Sequence, residues 1–247
     1  MSSRSRNFLI PAIIVAAALA IIAYLLIGGG DDEPTAAGDP EEAGQEATTD
    51  PSGVVGEVVE PDSEEKVDAE RHDPEDPLAM GALDAPVTIV MFSDFQCPFC
   101  ALWTAQTLPE LTPYIEDEEL RVEWRDLAVF GEDSRRAAYA GYAAGLQGKY
   151  LDFTQTLFDG GDSPSAGALS DDALEELAGD LGLDVEKFNA DRTGEEVQDA
   201  VEANFAEGEE LGVFSTPAFL INGRPIIGAQ PTDTFIEAID AELTGSE

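Results

Sequence analysis

The chain runs to 247 residues, 43% of them hydrophobic, which is ample to bury a core in one or two domains without covalent staples. Against 52 acidic residues there are 12 basic ones, a formal net charge of −40 that excludes nucleic acid and anionic membrane surfaces as partners of the body, because an acidic surface repels phosphate. Two sources of that acidity stand open: a high-salt environment, in which screening quenches self-repulsion, or an acidic proteome of no special salinity.

In chain order, Arg4 and Arg6 precede the uncharged stretch "FLIPAIIVAAALAIIAYLLI", Phe8 to Ile27. As a helix this stretch is about 30 Å long, enough to cross a bilayer. The basic residues before it and "GGGDDE" after it place residues 1–7 in the cytoplasm and the remainder outside, with Tyr24 near the outer interface. "AAALA" has the small-residue spacing of a signal-peptide cleavage site, but "IIAYLLI" still follows it, so 8–27 reads as an uncleaved transmembrane anchor. From residue 28 to 77 the composition shifts to Gly, Pro, Ala, Asp and Glu, the signature of a disordered acidic linker. Its roughly fifty residues span about 40 Å as a flexible chain.

The folded region is expected over 78–247. "PVTIVMF" (Pro86 to Phe92) reads as a buried strand by its length and branched residues. "PFCALWTAQTLPELTPYI" carries helical spacing, with Pro98 suited to a first turn and Pro109 placed to kink or end the helix. "LRVEWRDLAVF" (Leu120 to Phe130) alternates as a second strand, and a block of helical periodicity follows over about 131–212. "PAFLING" and "RPIIG" form a hairpin turning at Asn222 and Gly223, and "PTDTFIEAIDAEL" closes as a helix. This order predicts an α/β fold, a central sheet with an inserted helical subdomain.

The only two cysteines, Cys97 and Cys100, sit in "FSDFQCPFC". A bridge between them closes too small a loop to restrain the unfolded chain, so a structural staple is a poor explanation. Structural zinc needs four Cys or His ligands, and the single histidine, His72, falls in the linker; no metal site is expected. Redox chemistry fits. A C-x-x-C on a first helical turn sets Cys97 among unpaired backbone amides at the exposed end, where a thiolate is stabilised, with Cys100 one turn inward as the resolving thiol.

With these residues in view, "APVTIVMFSDFQCPFC" resembles the active-site strand of DsbA-like thiol:disulfide oxidoreductases of the thioredoxin superfamily. The likeness spans Ala79 to the end. "AAYAGYAAGLQGKYLDFTQTLF" is similar to the inserted helical domain of that family, and "GVFSTPAFLINGRPIIGAQPTDTF" to its cis-proline loop, hairpin and last helix. The resemblance implies that Cys97 is the nucleophile, Cys100 the resolving thiol, and Pro217 a cis-proline facing them. Thr216 would then turn its backbone toward an extended substrate that pairs as an added strand.

One departure stands out. Relatives commonly carry a buried acid six residues before the first cysteine, and here that position is Met91. Asp94, the nearest acid in sequence, either takes over the proton role or caps its own turn. Between the cysteines, Pro98 and Phe99 bring no positive charge, so a Cys97 pKa well above the strong-oxidant extreme of about 3.5 is expected. Phe95, Phe99, Trp103 and Phe214 are candidates for an apolar collar that receives unfolded chains, with Trp103 equally suited to the core.

The expected function is the introduction of disulfides into exported proteins by an anchored extracytoplasmic domain, without a bound cofactor. Its partners would be unfolded proteins with free thiols and a membrane reoxidant. The resemblance implies a quinone-coupled oxidoreductase of the DsbB or vitamin K epoxide reductase type. A reductase or isomerase of the same fold, and a non-catalytic anchored chaperone, are the alternatives.

Overall fold

The computed structural model of the protein describes residues 66–245. The anchor assigned to 8–27, and the linker up to residue 65, lie outside the described residues. Among those described, no helix is long and apolar enough to cross a membrane.

A mixed five-stranded sheet forms the centre: β1 (Ala79–Met80), β2 (Val87–Ser93), β3 (Leu120–Asp126), β4 (Ala218–Ile221) and β5 (Arg224–Ile227). The spatial order is β1-β3-β2-β4-β5, with β2 and β3 parallel and the other neighbours antiparallel. Parallel neighbours need a long crossover, supplied here by α1 (Pro98–Gln106) and α2 (Leu108–Glu116). Between β3 and β4 the chain inserts α3 (Glu132–Gly145), α4 (Tyr150–Leu157), α5 (Asp171–Asp180), α6 (Val185–Arg192) and α7 (Glu195–Glu210), and α8 (Thr232–Gly245) closes the fold.

All seven residues of β2 are buried, because both faces of the sheet are covered. Val87, Ile89 and Met91 join Leu120, Val122 and Trp124 of β3 in the main core. Val90 and Phe92 point the other way, into a smaller cluster with Leu127, Ala218 and Leu220.

One boundary differs from the sequence expectation and one follows it. β3 stops at Asp126, and Leu127 to Phe130 leave the sheet toward a turn at Gly131, whose φ of 98° suits glycine. The crossover helix breaks at Thr107, because Pro109 cannot donate to the preceding turn and instead occupies the first turn of α2.

A second difference is larger. Residues 66–77, expected as part of a free linker, form a strap across the second face of the sheet. β3 presents Arg121, Glu123 and Arg125 on that face, all three buried. Buried charges need partners, and the strap supplies them. The amides of Arg71 and His72 donate to the Glu123 carboxylate at 3.0 and 3.1 Å, and the Arg121 guanidinium donates to the Asp73 carbonyl at 2.9 Å. Arg125 donates to the Ala69 carbonyl at 3.3 Å and pairs with Asp76 at 3.5 Å. The strap also docks on the β4–β5 hairpin, where Val67 N donates to Gly223 O at 2.9 Å. A Cβ at position 223 would lie 2.6 Å from the Val67 carbonyl oxygen, so the turn needs glycine for the contact as well as for its φ of 78°.

Candidate active site

Cys97 is the N-cap of α1, with extended backbone (φ −79°, ψ 114°), and its sulfur accepts from the Cys100 amide at 3.2 Å. Pro98 follows at the first helical turn, where its missing amide costs nothing. The turn before the helix is held by Asp94. Its carbonyl accepts from Cys97 N at 3.0 Å, and its carboxylate accepts from Gln96 N at 2.8 Å, Phe130 N at 3.2 Å and the Ser134 hydroxyl at 2.5 Å. Burial pushes Asp94 upward from the ordinary carboxylate range while these hydrogen bonds oppose the shift. With its carboxylate oxygens spent on the 130–134 loop and the turn, Asp94 matches the loop-capping role, and it meets Cys100 through its backbone.

The Thr216–Pro217 peptide is cis, and the loop lies across the cysteines. Cys97 Sγ stands 3.2 Å from the Thr216 carbonyl oxygen. The Thr216 hydroxyl is buried and has no hydrogen-bond partner in the reduced state described here. The loop has a consequence the sequence did not convey: Cys97 is only 1% exposed, rather than standing at an open helix end. Pro98 and Phe99 beside it remain exposed, Phe99 at 44% and Phe214 at 79%.

Both cysteines are free thiols. The Cys100 thiol donates to the Cys97 sulfur and is the largest influence drawing Cys97 down to about 6; burial opposes it, while Thr216 and the Cys100 and Phe99 amides add to it. Cys100 is pushed well above the ordinary thiol range, first by burial and then by its neighbour's sulfur. The pair therefore divides into a reactive sulfur at Cys97 and a protonated reserve at Cys100.

Phe95 is not part of an exposed collar. It is 1% exposed and inserts into the helical subdomain, with ring centroids 6.3 Å from Phe153 and 5.7 Å from Phe158. Gly141 of α3 makes room for it, since a Cβ there would fall 2.9 Å from Phe95 Cζ. Next to a strand whose apolar side packs on helices, a large ring gains more by burial than by exposure. Trp103 is likewise in the core, against Phe219 and Phe235 at 5.1 and 5.8 Å.

Sequence reasoning missed one group beside the site. Asp126 ends β3, is buried, and accepts from the Tyr150 hydroxyl of α4 with both carboxylate oxygens at 3.0 Å. The signal was present: by alternation Asp126 shares its face with Val122 and Trp124, the apolar side of the strand. Among the described residues no cluster of side chains suits a metal ion.

Residues 73–241 match the family described as Thioredoxin. The chain belongs to the thioredoxin family. Within the thioredoxin family it is a DsbA-like thiol:disulfide oxidoreductase. It is 28% identical over 170 residues to a probable disulfide bond formation protein D of Bacillus cereus, covering 67% of this chain and 78% of that one. A stretch amounting to 27% of an Na(+)/H(+) antiporter NhaA of Herminiimonas arsenicoxydans is 32% identical over 176 residues, 70% of this chain. Among solved structures, a thioredoxin-like oxidoreductase from Silicibacter pomeroyi superposes with a TM-score of 0.57 at 28% identity, over 70% of this chain and 94% of that one. Oxidised BdbD from Bacillus subtilis shares the fold at 23% identity and a TM-score of 0.62, over 68% of this chain and 92% of that one.

Proposed function

We propose that this thioredoxin-family protein is a disulfide-introducing oxidase that works on exported chains from the outer side of the cell membrane. The observation that carries the exchange chemistry is the placement of Cys97, whose sulfur accepts from the Cys100 amide at 3.2 Å and faces the Thr216 carbonyl oxygen at 3.2 Å under the cis-proline loop. The lowered Cys97 and raised Cys100 agree with it, and the likeness to a probable disulfide bond formation protein D supports the oxidising direction. A disulfide whose cysteine leaves as a stable thiolate is a good oxidant, because the reduced form is the one stabilised. In the forward reaction a substrate thiolate attacks Cys97 Sγ of the Cys97–Cys100 disulfide. That bond breaks, its electron pair leaves on Cys100, and a mixed disulfide forms at Cys97. A second substrate thiolate then attacks the substrate sulfur of the mixed disulfide and releases Cys97 as a thiolate, leaving the substrate oxidised and the enzyme reduced by two electrons.

Thr216, Pro98, Phe99 and Phe214 would receive the substrate. A cleft of about 230 Å³ that includes Phe214, lined also by Phe92, Val213, Leu220 and Ile227, supports binding of unfolded apolar segments. The 8–27 segment would hold the domain at the membrane and raise its effective concentration near a quinone-coupled reoxidant. The likeness to a probable disulfide bond formation protein D of Bacillus cereus supports a role in disulfide formation.

The test is the equilibrium of the Cys97–Cys100 couple against glutathione. A potential near about −120 mV is expected for an oxidase, and one near about −270 mV would assign a reductase or isomerase instead. Labelling of a C-terminal tag in intact cells by a membrane-impermeant reagent checks the location; a tag that is labelled only after lysis would overturn it.

A further inference from the structure

Met91 leaves the β2 position six residues before Cys97 without an acid, and Asp94 is occupied by its own turn. The sheet register shows what stands nearby instead. Met91 and Ser93 are paired with Trp124 and Asp126 across the parallel β2–β3 ladder, so the four side chains share one face. That face carries the core containing Met91, Trp124, Cys97 and Cys100. At its end the Ser93 side chain faces the Cys100 sulfur and favours its thiolate. Asp126 lies beside Ser93 on the adjacent strand, where strands run about 4.8 Å apart. Among the described residues, its carboxylate has one hydrogen-bonding group, the Tyr150 hydroxyl. A buried carboxyl met by a single neutral donor is poised to hold a proton. Arg224, which shares this sheet face by register, lies on the edge strand β5 and pairs with Glu242 at 2.9 Å.

We infer that Asp126 stores the proton that Cys100 releases and recovers during thiol–disulfide exchange, with the Ser93 hydroxyl between them and Tyr150 fixing the carboxyl. The inference rests on the exchange chemistry of Cys97 and Cys100 and holds for either direction of electron flow. When a thiolate opens the Cys97–Cys100 disulfide, the electron pair leaves on Cys100 Sγ. That sulfur takes a proton through Ser93, and Asp126 becomes a carboxylate. When Cys100 must attack a mixed disulfide at Cys97, its proton returns to Asp126 and the new S–S bond expels the partner thiolate. Asp126 acts on sulfur through Ser93 and is therefore a positioning residue for the proton.

The surrounding charges agree. Burial pushes Asp126 up to about 8, with the Tyr150 hydrogen bond opposing and the charge of Asp94 adding to the rise. Tyr150 itself is raised well above its usual range, by burial first and then by Asp126, so it stays a neutral donor; Asp76 of the strap adds to that effect. Arg125, the nearest cation in sequence, lies on the other face and is paired with Glu123 and Asp76.

The experiment uses the full-length protein with Cys97 held as a mixed disulfide with glutathione, and follows glutathione release by Cys100 as a function of pH. In the wild-type protein the rate rises through an inflection near 8. Asp126→Asn loses that inflection and is slower at neutral pH by about 10- to 100-fold, the low end of what a positioned proton acceptor supplies. Tyr150→Phe moves the inflection upward, because the hydrogen bond that favours the carboxylate is gone. A purely structural Asp126 would lower the melting temperature of both variants and leave the wild-type inflection in place. An unchanged profile in Asp126→Asn, or an unmoved inflection in Tyr150→Phe, overturns the inference, and the second holds even if the first variant fails to fold. Failure of the wild-type protein to form or resolve the mixed disulfide removes the exchange chemistry, and this inference with it.

Discussion

Cys97 and Thr216 meet across 119 residues of chain, with the Cys97 sulfur 3.2 Å from the Thr216 carbonyl oxygen. The contact joins the first turn of α1 to the loop before β4. It lets the protonated sulfur donate to a carbonyl, and it brings an otherwise unpartnered hydroxyl to the same sulfur once the proton is lost.

Thr216→Val keeps the carbonyl and the shape of the loop while removing that hydroxyl. The Cys97 pKa should rise from about 6. A rise of about one unit is expected, since a hydrogen bond to a charged group is worth about 1.5–3 kcal/mol and one unit about 1.4 kcal/mol. Ultraviolet absorbance of the thiolate against pH measures it; an unshifted titration would show that the hydroxyl does not reach the sulfur.

The two thiols also set how the reduction potential responds to pH. Below about 6 both sulfurs of the reduced form are protonated, and above it Cys97 is a thiolate while Cys100 keeps its proton. For a two-electron couple each proton taken up contributes about 30 mV per pH unit, so the slope should fall from about 60 to about 30 mV per unit on passing that point. Redox titrations at a series of pH values locate the break, and a single slope from acid to neutral pH contradicts the assignment.

Two phenylalanines near the site should separate cleanly. Phe95 is fully buried between Phe153 and Phe158, so Phe95→Ala is expected to cost about 3–5 kcal/mol in urea unfolding. Phe99, 44% exposed, should change stability by no more than about 0.5 kcal/mol when truncated, while weakening the binding of an unfolded thiol substrate. Equal stability losses in the two variants would mean that Phe99 packs on the body of the domain.

Glu123 makes the fold sensitive to acid. Burial pushes its pKa up, but the hydrogen bonds from Arg121, the Arg71 amide and Arg125 outweigh burial and bring it from 4.5 to about 2. The folded state thus holds the carboxylate more tightly than the unfolded chain does. This stabilisation is fully present above 4.5 and is lost as pH falls through about 2. Its size is about 3 kcal/mol on the order-of-magnitude scale of 1.4 kcal/mol per unit. Asp126, raised to about 8, works with the opposite sign and erodes stability as pH rises toward that value. Unfolding of the oxidised protein across this range should show both limbs. Glu123→Gln should remove the acid limb and lower stability at neutral pH by about 3–5 kcal/mol, because Arg121 and Arg125 lose their buried counter-charge.

The local features of the site were legible in the residues themselves. A short apolar strand, a turn, a cysteine at an N-cap and a proline in the next position are all encoded within "PVTIVMFSDFQCPFC", so the reactive pair and its helix could be read directly. Asn222 and Gly223 likewise announced their hairpin, since both adopt positive φ.

Burial, by contrast, belongs to pairs of residues far apart in the chain, and the sequence is silent on it. Phe95 looks like a surface ring until Gly141, Phe153 and Phe158 close around it. Residues 66–77 have the polar composition of a linker, and they are held down because Arg121, Glu123 and Arg125 of β3 need hydrogen-bonding cover that only a distant polar segment can give. Asp126 reads as the end of a strand, and only the parallel register with Ser93 and the arrival of Tyr150 from the inserted helices make it a buried acid. The reactive pair of this protein was written in fifteen consecutive residues. The environment that tunes it was decided by which remote groups the fold brings against them, because the energy of a charge or a thiolate depends on neighbours that chain order does not name.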